Sequence, residues 1–232
     1  DAFIAQSLAG RNWKPAAEAD KYTLIRRATF DLIGLPPSPE QIDAFIKDDS
    51  PESFQRVVDR LLASPHYGQR WGRHWLDLVR YADTNGADEN HTMPNAWRYR
   101  DWIFNAMNRD QPLDEFIVHQ LAGDLLTEGV DPLQQRERLT ATGMLVIGPK
   151  MLAEQDKEKM RIDIIDEQID TVSRTMMGMT IGCARCHDHK FDPITAEDYY
   201  ALAGIFASTR TMQNEDFVSK WMERDLPSET IA

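Results

Sequence analysis

The chain has 232 residues, 42% hydrophobic and 28% charged, with a formal net charge of −12. That length can bury a substantial core, and the balance is ordinary for a globular fold. The acidity, with no sustained Lys or Arg patch, argues against nucleic acid as main partner, and no run approaches the ~18 uncharged apolar residues of a membrane span.

In chain order the pattern is helical almost throughout. The first residues, DAFIAQSLAG, lack the basic and apolar regions of a signal peptide, so the protein is either cytosolic or has lost its targeting segment. Residues 20–33 begin at an Asp that can cap a helix and stop at Gly34. Two prolines then turn the chain. Ser38 followed by Pro39 restarts it, because proline at the first helical position gives up an N–H that has no helical partner anyway. Ser50-Pro51 and Ser64-Pro65 repeat the device, which predicts short helices joined tightly.

Residues 66–82, HYGQRWGRHWLDLVRYA, read as a helix rich in aromatics and arginine. A polar loop, DTNGADENHTMPN, follows, and helices are expected at 96–109, 113–126 and 132–146. The segment 155–179 reads as the longest helix. Ile165, Ile169, Val172 and Met176 form its apolar stripe, and Asp163, Asp166, Glu167 and Asp170 its wet face. Gly178 and Gly182 release the chain into a cysteine-bearing segment, and Thr195 with Asp198 is a capping-box-like start for the last helix. Strand-like alternation is scarce. The expected fold is all-α, a multi-helix domain with the cysteine segment between its last two long helices. One domain is expected over 1–212. Residues 213–232 read as the start of a linker or a following domain, which suggests a piece of a longer protein.

Both cysteines of the chain lie in IGCARCHDHKFDP, residues 181–193. Two thiols cannot build the disulfide framework of a small secreted domain, so their use must be local. Cys183-Ala184-Arg185-Cys186-His187 has the C-x-x-C-H spacing of haem c attachment. Two thiols three positions apart can add across the two vinyl groups of a haem, and the next residue, His187, then supplies the proximal iron nitrogen. That chemistry normally accompanies export, which agrees with a mature chain whose leader is gone. Three other readings stay open. Zinc could use Cys183, Cys186, His187 and His189, although four ligands within seven residues are cramped. A redox C-x-x-C lacks its βαβ context. A plain disulfide is the fourth.

The iron needs a second axial ligand or an open site. His189 is too near His187 to cross the macrocycle and reads as structural. Met212 is the first distal candidate and Met151 the second, because methionine suits an electron carrier. Met144, Met160, Met176, Met177 and Met179 sit on helical stripes and read as core. His74, on an aromatic face, reads as a buried core histidine, with a distal role as the alternative. His91 is in a loop that could swing in, and His66 and His119 read as structural or exposed. Arg73, Arg80 or Arg185 could hold a propionate as a bidentate fork. The loop 83–90 offers many oxygens and a possible calcium site, but Gly86 is misplaced for an EF-hand. Trp71, Trp75, Trp97 and Trp102 could line a sugar platform, though such residues are more often core. Paired carboxylates on the acidic face of the 155–179 helix read as a solvated face rather than glycosidase machinery.

GCARCHDHKFDPI followed by DYYALAGIF, together with WLDLVRYADTNG, YRDWIFNAMNRDQPLDEFIVHQLAGDLL and DIIDEQIDT, resembles a family of planctomycete-type cytochrome c-associated domains of unknown function. The resemblance runs over roughly residues 1–212. It implies an exported, haem-bearing domain of large multidomain proteins, in a periplasmic or extracellular setting, and supplies no established reaction.

The expected function is therefore a covalent haem c domain that passes single electrons to or from other domains of the parent protein or a redox partner. Two alternatives are carried: a haem enzyme with an open distal site acting on peroxide or an organic substrate, and a non-catalytic surface or glycan-binding module with a zinc or disulfide staple.

Overall fold

Five helix starts can be traced to a side chain that satisfies a first free N–H group: Asp20, Ser38, Asp131, Asp156 and Thr195. The computed structural model describes all residues except Asp88, Thr127 and 228–232. The chain divides into two compact units, Asp1–Tyr67 and Gly68–Ala232. Among the described residues it is all-α apart from one short hairpin.

The first unit holds α1 (Ala2–Gly10), α2 (Lys21–Ile33), α3 (Pro39–Lys47) and α4 (Ser53–Leu62). Asp20 caps α2 by accepting the Thr23 N–H at 2.8 Å, and Gly34 ends it in the left-handed region at φ 73°. Ser38 and Gln41 close a reciprocal capping box on α3, with Pro39 at its first position. Ser50 differs from expectation. Its hydroxyl is spent on Asp48 at 2.7 Å, so α4 starts three residues later, at Ser53, without a side-chain cap. Ile25, Phe45, Val57 and Leu61 form the core of this unit, while α1 buries no residue.

α5 (Pro65–Leu78) belongs mostly to the second unit. There follow α6 (Ala96–Asn108), α7 (Leu113–Ala122), α8 (Pro132–Ala141), α9 (Lys157–Val172) and α10 (Ala196–Ala207). A two-stranded antiparallel hairpin, β1 (Met212–Asn214) and β2 (Lys220–Trp221), comes last. Tyr99, Trp102, Ile103, Phe116, Met144, Ile169, Ile181, Ala184 and Tyr199 share the main core. Trp102 stacks on Phe116 with centroids 5.2 Å apart, and Trp75 meets the same ring edge-on at 4.7 Å, so these two tryptophans are core aromatics. Trp71 and Trp97 are exposed. At Gly123 a Cβ would lie 2.2 Å from the Arg138 carbonyl oxygen, so only glycine lets the end of α7 approach α8 so closely.

The longest helix is shorter than expected, and its buried face is rotated. α9 ends at Val172, a π-helical turn spans Ser173–Met177, and Gly178 closes the segment at φ 64°. Met160, Ile164, Gln168, Ile169 and Thr171 are buried, whereas Ile165 and Val172 only pack at the core's margin. Two polar residues can occupy core positions because each has partners. Gln168 donates to the Leu145 carbonyl at 2.9 Å, and the Thr171 hydroxyl accepts from Arg80. No helix among the described residues is long and apolar enough to cross a membrane.

Candidate functional site

The cysteine segment is a 3₁₀ turn, Ile181–Arg185, lying in sequence between α9 and α10. Residues three apart share an edge of such a turn. Ile181 and Ala184 accordingly share the inner edge, 5% and 0% exposed, and belong to the main core. Cys183 and Cys186 are also three apart and are both exposed, with free thiols. The alternation of apolar and thiol positions thus moors the turn on one edge and presents its chemistry on the other.

Arg185, between the cysteines, is clamped from two directions. Its Nη1 lies 3.0 Å from Asp166 Oδ2 and its Nη2 3.8 Å from Asp163 Oδ1, both on α9. Its carbonyl accepts the Tyr200 hydroxyl at 3.1 Å. Asp166 also accepts the Tyr199 hydroxyl at 2.6 Å, and burial together with that bond pushes the Tyr199 phenol above its ordinary pKa. The acidic face of α9 is exposed at Asp163, as expected, while its Asp166 fastens the cysteine turn.

His187 follows the turn and is exposed. Its Nδ1 lies 2.7 Å from the Asp188 carbonyl oxygen. A carbonyl only accepts, so Nδ1 carries a proton, and in the neutral ring Nε2 then keeps its lone pair. No partner for Nε2 occurs among the described residues. His189 is the opposite case. Its Nδ1 accepts the backbone N–H groups of Asp192 at 2.9 Å and Phe191 at 3.3 Å, which fixes the proton on Nε2, 3.0 Å from the Thr180 hydroxyl. Both nitrogens are spent, so His189 braces the loop, as its position beside His187 suggests. Among the described residues no three His, Cys, Asp or Glu side chains are grouped to hold a metal ion, and the cysteines form no disulfide.

The other candidates lie elsewhere. Met212 is half-buried in β1 and lines a cavity of about 530 Å³ with Ile164, Ile165 and Phe206; none of Cys183, Cys186 and His187 lines it. Met151 is 48% exposed, and Met144 and Met160 are core residues. His74 is exposed and tilted against Trp71 at 5.6 Å, so the expectation of a buried His74 is corrected: it lies on the outer side of α5. Arg80 is turned to Glu167 and Thr171, and Arg185 to Asp166, so these two of the three candidate propionate partners have internal carboxylates. In the loop considered for calcium, Asp88 lies outside the described residues. Asp83 accepts from the Tyr81 hydroxyl at 2.7 Å, and Asn85 is fully buried.

Sequence reasoning missed a buried charge cluster on another side of α9. The Lys150 side chain is 2% exposed, and its Nζ lies 3.1 Å from Glu167 Oε2. The other oxygen of Glu167 takes Arg80. Burial lowers the Lys150 pKa, with Glu167 opposing. Asn85 stitches the 83–93 loop to this spot: its side-chain amide donates to the Lys150 carbonyl at 3.0 Å, and its backbone carbonyl accepts the Lys150 N–H at 3.1 Å. Gly148, at φ 120°, leaves room for Glu167. The only sequence signal was the Gly-Pro-Lys run before α9. A second omission is Arg174, held by Asp170 at 2.6 Å and within electrostatic reach of Cys183.

Comparison with known proteins gives one family. The model of PSCyt2, a protein of unknown function (DUF1549), matches residues 1–211, and the chain belongs to that family. No curated protein and no solved structure matches it.

Proposed function

We propose that Cys183 and Cys186 carry a covalently attached haem c, that His187 is its proximal iron ligand, and that the second unit passes single electrons. The observation that carries this reading is the hydrogen bond from His187 Nδ1 to the Asp188 carbonyl at 2.7 Å. Metal-binding histidines characteristically donate their other ring N–H to a carbonyl or carboxylate, which fixes the tautomer and leaves a basic nitrogen for the metal. The residues fit the group: two free, exposed thiols at the required spacing and an imidazole with one nitrogen committed and the other available. Bound there, the haem would supply one-electron chemistry.

The chain's own residues prepare the attachment. Ile181 and Ala184 anchor the turn, Asp166 and Tyr200 hold Arg185 between the thiols, and Arg174 places positive charge near Cys183. The partners would be neighbouring domains of a parent protein or a separate redox protein, in an extracytoplasmic compartment, where this attachment chemistry normally occurs.

A second reading, a haem enzyme with an open sixth position, is favoured by the placement of Met212, the first distal candidate, in a cavity that the cysteine turn does not line. Electron transfer remains the primary proposal, and carbon monoxide separates the two.

The test is production of the chain in a host with cytochrome c maturation machinery, then acid-acetone extraction. A Soret band retained by the protein is expected; a colourless protein with both thiols still alkylatable overturns the proposal. Rapid carbon monoxide binding by the reduced pigment identifies the open-site enzyme instead.

A further inference from the structure

The residue behind His187 is held in a way that reaches the imidazole. Asp188 Oδ1 accepts the backbone N–H of Ala196 at 2.9 Å, and Ala196 is the first residue of α10. The first N–H groups of a helix lack partners within it. Here Asp188 takes the Ala196 N–H, and the Thr195–Asp198 capping box takes the Asp198 N–H at 3.1 Å and the Thr195 N–H at 2.8 Å. The carboxylate of Asp188 is therefore tied to the N-terminus of a helix of 12 residues, packed into the core through Tyr199 and Phe206. The backbone of the same residue presents the carbonyl on which His187 Nδ1 is docked.

The loop between them is braced independently. His189 N–H donates to the Ile194 carbonyl at 2.8 Å, and the His189 ring collects the Phe191 and Asp192 N–H groups. The nine-residue span from Asp188 to Ala196 thus has two internal fasteners, one at His189 and one at Asp188. Both act on the peptide unit that His187 uses, since its N–H belongs to His189 and its carbonyl to Asp188, and the Asp188 carboxylate holds it from the Cα side.

We infer that Asp188 is the positioning residue of His187: its carboxylate, moored to α10, orients its own carbonyl so that the imidazole is held as the Nδ1–H tautomer with Nε2 free for iron. The inference rests on the haem reading for its purpose, but not for its geometry, which is present in the unloaded chain. A free neutral imidazole has no such carbonyl to hold the proton on Nδ1, and a mixture at His187 would leave part of the population with its metal-binding nitrogen protonated.

The experiment uses the full chain made without haem maturation, labelled with ¹⁵N-histidine, and long-range ¹H–¹⁵N correlation at about pH 9, where unperturbed imidazole is neutral. In the parent chain His187 is expected as the Nδ1–H form and His189 as the Nε2–H form. In Asp188→Ala, His187 is expected to shift to a majority Nε2–H population while His189 keeps its pattern, which shows that the loop is still folded. Asp188→Asn retains an oxygen that can accept the Ala196 N–H and is expected to restore the parental tautomer. An unchanged His187 tautomer in Asp188→Ala overturns the inference, as does an Nε2–H form in the parent. Failure of covalent haem attachment after maturation sinks the haem reading and leaves this tautomer result standing, so the two failures are distinguishable. In loaded protein, a raised reduction potential in Asp188→Ala relative to Asp188→Asn is the further expected result, because an imidazole that no longer donates from Nδ1 is a poorer electron donor to iron.

Discussion

Arg185 and Asp166 are joined at 3.0 Å, and the oxygen of Asp166 that Arg185 leaves free takes the Tyr199 hydroxyl at 2.6 Å. One carboxylate on α9 therefore fastens both the cysteine turn and the first turn of α10. Replacing Asp166 with Asn keeps the shape and removes the charge. The expected cost is about 1–2 kcal/mol, from one charge-assisted bond weakened at a site about a third exposed. Urea unfolding checks the stability.

Glu167 makes an asymmetric prediction. It is the carboxylate partner of Lys150, whose side chain is 2% exposed, and it also holds Arg80. Glu167→Gln leaves a buried ammonium without its counter-charge and is expected to cost about 3–5 kcal/mol. Lys150→Met removes the buried charge along with its partner's task, and Glu167 still has Arg80, so that change is expected to be neutral or stabilising by about 1 kcal/mol. Denaturant midpoints of the two variants decide it. Equal losses would mean that the ammonium is not the group that needs compensation.

The same lysine sets a pH dependence. Its folded pKa lies below the ordinary 10.5, so in the window below 10.5 the unfolded chain binds a proton that the folded chain has released. Stability then rises with pH through the lowered value. Tyr99, Tyr81 and Tyr199 act in the opposite sense, because burial raises each phenol above 10.0 and the unfolded chain loses its protons first. Unfolding temperature is expected to climb on the alkaline side of neutrality, then fall as pH passes about 10. Lys150→Met is expected to flatten the climb and leave the fall, which a thermal scan series in matched buffers reads directly.

Gly148 tests whether the backbone is built around that cluster. Its φ of 120° is a region that side chains rarely adopt, and a Cβ there would lie 2.9 Å from Glu167 Oε1. Gly148→Ala is expected to cost about 2–3 kcal/mol, combining backbone strain with displacement of the carboxylate. Pairing it with Lys150→Met, which relaxes the demand on Glu167, is expected to recover part of the loss; strict additivity in calorimetry would show that φ alone matters.

What could be read in advance follows from range. Asp20, Ser38 and Thr195 announce their helices because a cap is decided within three residues, and each accepts from the N–H its spacing indicates. The C-x-x-C-H spacing is equally local. Ser50 misled because the competing acceptor, Asp48, is also local and took its hydroxyl. The wet face assigned to α9 holds at Asp163 but failed at Glu167, for the opposite reason. Glu167 is paired with residues 17 and 87 positions away, and a helical wheel cannot distinguish a carboxylate meeting water from one meeting a distant cation. Arg80 and Arg185 were legible as carboxylate-seeking forks, yet the carboxylates they found belong to α9.

Thiol and imidazole make separable contributions at the proposed site, and their variants must therefore fail differently. Cys183→Ala with Cys186→Ala removes both points of attachment on the outer edge of the turn while leaving Ile181 and Ala184 to hold its inner edge. That chain is expected to fold with parental far-ultraviolet dichroism and to surrender all pigment to acid-acetone. Each single cysteine variant keeps one attachment and is expected to retain pigment, with its reduced band displaced because one vinyl group stays unsaturated. His187→Ala keeps both thiols and is expected to retain pigment through extraction but to lose the low-spin spectrum, because the nitrogen freed by the Asp188 hydrogen bond is gone. A His187→Ala protein that stays low-spin would show that another side chain is the proximal ligand. Pigment released from the parent by acid-acetone would reduce the cysteines to ordinary surface thiols on a well-clamped turn.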